Sequence, residues 1–214
     1  MTSREFRERL SRRARKARVV VPEPALAPLE TYYRLLAKWN VKINLTALPL
    51  QVPTDATFDR LFIEPLLAAE LIPDAPGTWF DLGSGGGSPA LPLKMVRPSL
   101  SLTLVESKTR KAAFLREVVR ELKLPGTVVA NLRFQELPTP TPAADLVTVR
   151  AVRLDRTLLD ESARLLRVGG HMLFFGTPGV LTHKAFRPEQ LERTTSAEQL
   201  VKSFVRVFHV EQND

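Results

Sequence analysis

Between residues 29 and 72, apolar side chains recur three or four positions apart, first at Leu29, Tyr32, Tyr33, Leu36 and Trp39. This spacing is typical of one buried face of an α-helix. A second helical stretch is predicted from the capping residues Thr54 and Asp55 to Leu71, with Pro65 starting a new turn or kinking the helix. Residues 29–72 are therefore predicted to form a small helical subdomain.

From residue 77 the pattern changes to short apolar runs separated by helical stretches. The runs predict strands at Trp79–Leu82, Leu100–Val105, Val128–Ala130, Leu146–Val149 and Met172–Phe175. The stretches between them predict helices at Pro89–Val96, Thr109–Leu122 and Arg156–Leu166. This alternation favours an α/β fold, a mostly parallel sheet with helices on both faces. The alternating run Ser203–Val210 is predicted to be an antiparallel strand that ends the sheet.

Charge separates the first 18 residues from the rest of the chain. The net charge is +8; residues 1–18 carry eight Arg and Lys against two Glu, whereas the remainder is nearly neutral. The proline-containing run Val19–Pro28 is predicted to be a linker. The expected organisation is an arm and linker (1–28), the helical subdomain (29–72) and an α/β domain (73–214). A basic arm favours nucleic acid binding; a solubilising tail and an amphipathic helix on a membrane surface are the alternatives.

Several classes of protein are disfavoured by what the sequence lacks. It has no run of 18 or more apolar residues, so no transmembrane helix is predicted, and no signal core is found at the N-terminus. The absence of cysteine excludes disulfides and thiolate metal sites. The scattered histidines His171, His183 and His209 are predicted to be structural or surface residues rather than metal ligands. We expect a cytoplasmic monomer that binds neither a metal nor a membrane.

A glycine-rich loop follows the first predicted strand, in the segment Asp81-Leu82-Gly83-Ser84-Gly85-Gly86-Gly87-Ser88-Pro89. Its glycines allow positive φ and close approach of a ligand to the backbone. A dinucleotide fingerprint requires glycine where this chain has Ser88, and the Gly-Lys-Ser/Thr of a phosphate-binding P-loop is absent. Asp81 would repel a pyrophosphate but attract the cationic methionine end of S-adenosylmethionine. The loop therefore favours S-adenosylmethionine as the cofactor.

Two further segments complete the predicted cofactor site. Glu106 ends the second strand, at the sheet edge where open α/β folds bind ligands, and its carboxylate can accept hydrogen bonds from both ribose hydroxyls. Beyond the third strand, Phe134 could pack on an adenine ring while the backbone of Gln135 meets the ring edge. The alternatives are a surface carboxylate that caps a strand and an ordinary loop.

The remaining residues favour methylation of an atom that needs no deprotonation. Cytosine C5 methylation requires a cysteine nucleophile, which the chain lacks, and the Asn/Asp-Pro-Pro-Tyr/Phe signature of exocyclic amino methylation is absent. Guanine N7 has a free lone pair at neutral pH, so its methylation would depend on alignment and electrostatics. Arg150, at the end of the fourth strand, is the candidate cation for the O6/N7 edge of guanine. Pairing with a surface carboxylate is the alternative.

Four blocks of the sequence resemble the bacterial 16S ribosomal RNA guanine-N7 methyltransferases, also called the glucose-inhibited division protein B family. They are Tyr33–Asn40 with Asn44-Leu45-Thr46, Asp81–Pro92, Leu104–Ser107 with Arg110-Lys111 and Phe114-Leu115, and Val149-Arg150-Ala151. The first block is the most specific because it lies outside the generic cofactor fold. The resemblance implies a Rossmann-like class I S-adenosylmethionine-dependent methyltransferase fold with a small N-terminal helical subdomain, acting on 16S ribosomal RNA.

The resemblance also implies roles for individual residues. Gly83 and Ser88 are expected at the amino-acid end of the cofactor, Glu106 at the ribose, and Phe134 and Gln135 at the adenine. The full set expected to contact the cofactor is Asp81, Gly83, Ser84, Gly85, Gly87, Ser88, Glu106, Ser107, Phe134 and Gln135. The set expected to contact the RNA is Asn40, Asn44, Arg110, Lys111 and Arg150, with Arg150 as the catalytic residue.

The chain departs from the family pattern at several positions. The usual His-x-x-Asp-Ser of the second helical stretch reads Leu61-Phe62-Ile63-Glu64-Pro65, and the Lys-Gly after the fifth strand reads Phe175-Gly176. The usual glutamate of the adenine loop is Gln135, and the usual aspartate at the ribose is Glu106. Two alternatives follow: a methyltransferase of another RNA or a small molecule, and a homologue with weakened catalysis that binds S-adenosylmethionine or RNA.

Overall fold

The computed structural model describes residues 1–72, 75, 77–176 and the backbone of residues 205–209. Its α-helices are α1 (Ser3–Ala17), α2 (Glu23–Asn40), α3 (Asp55–Phe58), α4 (Glu64–Ala68), α5 (Ala90–Val96), α6 (Thr109–Glu121) and α7 (Arg156–Leu165). A π-helical segment, Asp59–Ile63, joins α3 to α4, and 3-10 turns occupy Ala69–Leu71 and Phe134–Glu136. Within the described residues, no helix combines the length and the apolar composition that crossing a membrane requires.

The strands form one six-stranded sheet in the order β3-β2-β1-β4-β5-β6. They are β1 (Gly77–Leu82), β2 (Leu100–Val105), β3 (Thr127–Ala130), β4 (Ala144–Arg150), β5 (Leu166–Phe175) and β6 (Val205–His209). The first five are parallel, and β6 pairs antiparallel with β5, so the predicted α/β architecture and its final antiparallel strand are confirmed. The strand order reverses between β1 and β4, and this reversal opens a crevice at the carboxyl ends of the strands.

Alternate side chains of each strand point to opposite faces of the sheet, and both faces are buried. Trp79 and Leu173 pack into a core formed with the N-terminal helices, α5 and α6. Their chain neighbours Phe80 and Phe174 pack into a second core that includes Leu158 of α7. The helical region before β1 therefore shares a continuous core with one face of the sheet.

The first 28 residues depart from the predicted arm and linker. Residues 3–17 form helix α1, which begins with a capping box in which Thr2 and Glu5 exchange backbone-to-side-chain hydrogen bonds. Phe6, Leu10 and Ala14, spaced four residues apart, are buried on one face of α1. Helix α2 then begins at Glu23, inside the predicted linker. The prediction was wrong here because the charged residues outnumber the three apolar ones that hold the helix on the core.

Candidate active site

A cleft lies across the carboxyl ends of β1, β2 and β4. It comprises a larger cavity of about 550 Å³ and a smaller one of about 290 Å³, and Gly83 and Glu106 line both. The larger cavity extends to the N-terminal helices through Tyr32 and Arg60. The smaller one reaches the 3-10 turn through Phe134. The cleft therefore lies where the topology predicts a ligand site.

The loop after β1 presents its backbone to the larger cavity. Gly83 and Ser84 donate hydrogen bonds to the carbonyl of Val105, at 2.9 and 3.0 Å, which ties the start of the loop to the end of β2. Gly85 has a φ of +49°, which a side chain disfavours. A Cβ at Gly85 would meet only the carbonyl of Gly83, 3.7 Å away. The loop thus leaves open space above Gly85 that a ligand can occupy.

Glu106 links the two cavities at the end of β2. Its carboxylate accepts hydrogen bonds from the backbone N–H groups of Gly85, at 2.9 Å, and Lys108, at 2.7 Å. The residue is only 6% exposed, yet it lines both cavities. A carboxylate held this way retains lone pairs for further donors. This position suits the predicted ribose-binding acid.

Asp81 lies beneath the loop rather than in the wall of the cleft. It stands opposite Thr148 in the pairing of β1 with β4, and its carboxylate accepts a 2.6 Å hydrogen bond from the Thr148 hydroxyl. The Thr148 hydroxyl in turn accepts from the indole N–H of Trp79 at 2.9 Å. Burial raises the pKa of Asp81 to about 6. The predicted direct contact with the cofactor is corrected: strand alternation turns this side chain into the core.

Arg150 forms a buried corner at the opposite wall. Its guanidinium contacts Glu64 at 2.7 Å and the Ser88 hydroxyl at 3.1 Å, and it also donates to the carbonyl of Arg60. It lies over the ring of Phe175, 4.7 Å from the ring centroid. Burial lowers the pKa of Arg150 to about 10 and raises that of Glu64, while each partner opposes the shift of the other. Arg150 therefore pairs with a buried carboxylate, in place of the surface carboxylate considered from the sequence.

The π-helical segment supplies an acceptor for this corner. Glu64 donates its backbone N–H to the carbonyl of Asp59, five residues back, and Pro65 has no N–H to donate. Neither residue therefore bonds the Arg60 carbonyl, which accepts from Arg150 and from the Ser88 hydroxyl instead. Pro65 lies in the first turn of α4, so the prediction that it starts a new turn is confirmed. The Arg60 carbonyl that it leaves free is the acceptor for two site residues.

Two residues of α2 hold the other parts of the larger cavity. The Tyr32 hydroxyl donates a 2.7 Å hydrogen bond to the carbonyl of Gly86 and so fixes the glycine loop from below. The Asn40 side chain accepts from the N–H groups of Leu45 and Thr46 and donates to the Thr46 carbonyl, at 2.8 to 3.1 Å. Asn40 thus shapes the loop that lines the cavity, and its contact with RNA stays a prediction.

The other predicted residues divide between the two cavities and the surface. Ser84, Ser88, Asn44 and Lys111 line the larger cavity; Ser107, Phe134 and Gln135 line the smaller one. Arg110 and Gly87 are not among the described residues that line either cavity. Arg110 is exposed on α6, and a Cβ at Gly87 would collide with Leu91. Gly87 thus serves the packing of the loop on α5.

Tyr32, Arg60 and Glu64 make polar contacts in the site and are not among the residues predicted from the sequence. Tyr32 is part of an apolar helical pattern, and Arg60 is one of many arginines, so neither carries a signal of its own. Glu64 does. It is an acidic residue within the apolar run 61–68, at the place where the family pattern has an aspartate. That position identifies it as a partner for a buried cation.

A family model described as "GidB: rRNA small subunit methyltransferase G" matches residues 25–213. The Ribosomal RNA small subunit methyltransferase G of Xanthomonas euvesicatoria pv. vesicatoria (strain 85-10) is 42% identical over 149 residues, which cover 69% of this chain and 63% of that protein. The protein of the same name from Acidiphilium cryptum (strain JF-5) is 37% identical over 172 residues, which cover 80% of this chain and 74% of that one. The chain thus spans less than two thirds of the length of the Xanthomonas relative.

Solved structures support the fold. Coclaurine N-methyltransferase, in a crystal structure with N-methylheliamine and SAH, superposes with a TM-score of 0.50 at 15% identity. The superposition covers 80% of this chain and 58% of that one. At this identity the likeness concerns the arrangement of the strands and helices alone.

Proposed function

Because the chain belongs to the rRNA small subunit methyltransferase G family, we propose that it methylates N7 of a guanine in 16S ribosomal RNA with S-adenosylmethionine as the methyl donor. The observation that carries the proposal is the cleft in which Glu106 holds the Gly85 backbone and links two cavities. We also propose that the enzyme is a monomer and acts in the cytoplasm.

The cleft fits the proposed cofactor. The open space above Gly85 admits an amino-acid moiety against the loop backbone, and Glu106 offers a carboxylate to the two ribose hydroxyls. Phe134, Leu132 and Val152 line the smaller cavity, which gives an adenine ring apolar surfaces to pack on. S-adenosylmethionine held by these residues would supply an electrophilic methyl group for transfer to the N7 lone pair, with its sulfur as the leaving group.

The role of this chain is then to orient a guanine. Arg150 has five N–H groups, of which Glu64, Ser88 and the Arg60 carbonyl engage three. Its Nε is buried without a partner among the described residues. One hydrogen on Nη2 remains for a substrate, so the predicted contact with both O6 and N7 reduces to a single bond. A bond to O6 alone would leave the N7 lone pair free to react.

The remaining cations of the larger cavity suit the RNA backbone. Arg60 and Lys111 both line this cavity, and the Arg60 side chain is about one third exposed and lies 3.5 Å from Glu64. A phosphate next to the target guanine could replace that long ion pair. Asn44 lies exposed on the loop that Asn40 shapes, where it can meet a nucleotide entering the cavity.

The decisive experiment maps N7-methylguanine in 16S ribosomal RNA from a strain that lacks this chain and from its parent. We expect one guanine to lose its methyl group in the deletion strain and to regain it when the purified protein and S-adenosylmethionine are added. Identical maps from the two strains would refute 16S ribosomal RNA as the substrate. Cofactor binding by calorimetry without transfer to any RNA would favour the homologue with weakened catalysis.

A further inference from the structure

Helix α1 and its C-terminal cap carry eight basic residues. Most of them lie on the two sides of the helix that flank its buried face. At 3.6 residues per turn, positions three or four apart share one side. Arg9, Arg12 and Arg13 lie on one side. The other side carries Arg4, Arg7, Arg15 and Arg18 at spacings of three, eight and three, and we name these four residues the basic stripe.

The arginines on the first side of α1 contact other segments of the chain. Arg13 pairs with Asp59 at 2.6 Å and with Asp55 at 3.0 Å, and Arg12 also contacts Asp55 at 3.0 Å. Arg9 donates to the carbonyl of Pro53. These arginines therefore have partners within the chain and are not available for a ligand.

The basic stripe is open to solvent by contrast. Arg4 is 87% exposed, and its partner Glu8 is also exposed. Arg7 is half exposed and lies 4.0 Å from Glu30. Arg15 and Arg18 are exposed and make no ion pair within the described residues. The exposed pair of Arg4 with Glu8 contributes little to stability, so a phosphate can replace it at little cost.

The stripe continues along α2 towards the cleft. The Ser3 hydroxyl donates to Glu30 at 2.6 Å, and Arg34 donates to the same hydroxyl at 3.2 Å, which sets the start of α1 beside Arg34. Lys38 follows Arg34 by four residues and so shares its side of α2, and exposed Lys42 comes next. Residues 31–54 contain no acidic residue. Just beyond Lys42 the chain reaches the loop that lines the larger cavity.

The surroundings of α1 favour a polyanion over a membrane. A helix that binds a bilayer needs a free apolar face, but Phe6, Leu10 and Ala14 are at most 4% exposed because they pack on the core. The matched family model begins at residue 25, so α1 lies outside it. The charged face is thus a feature of this chain that the family match does not explain.

We propose that the basic stripe, together with Lys38 and Lys42, binds phosphates of the RNA strand that enters the cleft. This inference rests on the proposed RNA methyltransferase function and names the surface that holds the substrate outside the cavity. Contacts of this kind are independent of sequence and sensitive to salt, because each phosphate that is bound releases counterions.

The test replaces Arg4, Arg15 and Arg18 with glutamine, which keeps the helix propensity. Substitution is preferable to deletion, because α1 covers Phe58 and Phe62 through Phe6. The affinity for a 16S ribosomal RNA transcript is measured over a series of salt concentrations. We expect the slope of log K against log salt to flatten by about 2 for three lost contacts with single-stranded RNA. Cofactor affinity and melting temperature should stay unchanged.

The matched control replaces Arg116, Arg120 and Lys123, which are exposed on α6 and just after it, and removes the same charge. Its salt slope should equal that of the wild type. Equal flattening in both variants, or a wild-type slope in the stripe variant, would overturn the inference. Loss of binding to phosphatidylserine vesicles with RNA binding intact would overturn it in favour of a membrane. If the wild-type protein neither binds nor methylates the RNA, the proposed function itself fails, and the inference fails with it.

Discussion

The glycine-loop wall of the cleft and the Arg150 wall differ in what holds their functional groups. On the loop wall, Gly83 and Gly85 present backbone groups whose partners lie at the end of the next strand. On the Arg150 wall, a backbone carbonyl of the π-helical segment and side chains of α4 and the loop converge on the buried guanidinium that β4 supplies. The first wall follows from local sequence, whereas the second exists only after distant segments have packed. We therefore expect the two walls to fail in different ways.

The largest effect should come from Gly85→Asp on the loop wall. The new carboxylate would occupy the open space above residue 85 and repel Glu106, which already bonds the Gly85 backbone. We expect affinity for S-adenosylmethionine, measured by calorimetry, to fall more than about 100-fold. Gly85→Ala is the control, since its Cβ meets open space and adds only the backbone strain of a positive φ, about 1–2 kcal/mol. Wild-type affinity in the aspartate variant would refute the cofactor site.

On the other wall, Arg150→Ala should reduce stability as well as turnover. It removes the closer of the two cations that contact buried Glu64 and leaves only Arg60, 3.5 Å away, which should lower the free energy of unfolding by about 3 kcal/mol. Adding Glu64→Gln should restore much of that stability but none of the turnover, as urea titrations and methyl-transfer assays would show. Cofactor affinity should fall far less than turnover.

The control for this wall is Arg164→Ala, which breaks a surface pair with Glu161 and should cost less than about 1 kcal/mol. If the double variant of Arg150 and Glu64 regained turnover, Arg150 would serve only to neutralise Glu64, and the substrate-orienting role would be wrong.

The smallest effect concerns the support of the loop wall. Burial raises the pKa of Asp81 from its ordinary 3.8 to about 6, so the folded protein binds a proton more tightly than the unfolded chain does. Stability from this group is therefore present at low pH and is lost as pH rises towards 6. We expect the free energy of unfolding of the wild type, relative to Asp81→Asn, to increase by about 1 kcal/mol between pH 7 and pH 5. If urea titrations gave the same difference in unfolding free energy between the two proteins at pH 5 and pH 7, the raised pKa of Asp81 would be wrong.

Local patterns predicted most of the fold because each depends on neighbours in the sequence. The run Leu100–Val105 is both predicted and observed as a strand, and Thr109 starts a helix in both. The glycine loop was identified because positive φ and close approach require glycine at fixed positions. Helix α1 was missed because its few apolar residues are diluted among arginines, and the core that covers Phe6 is formed by residues more than 25 positions away.

The sequence by itself determined a parallel α/β sheet, a glycine loop and a carboxylate at the end of the second strand, because periodicity, turn chemistry and strand ends are local properties. The tertiary structure decided which charges are buried together. It turned Asp81 into the core opposite Thr148, paired Arg150 with Glu64 across 86 positions of sequence, and joined Asn40 to the loop at Leu45. These outcomes depend on which segments meet in space, and burial changes the energy of a charge far more than its sequence neighbours do.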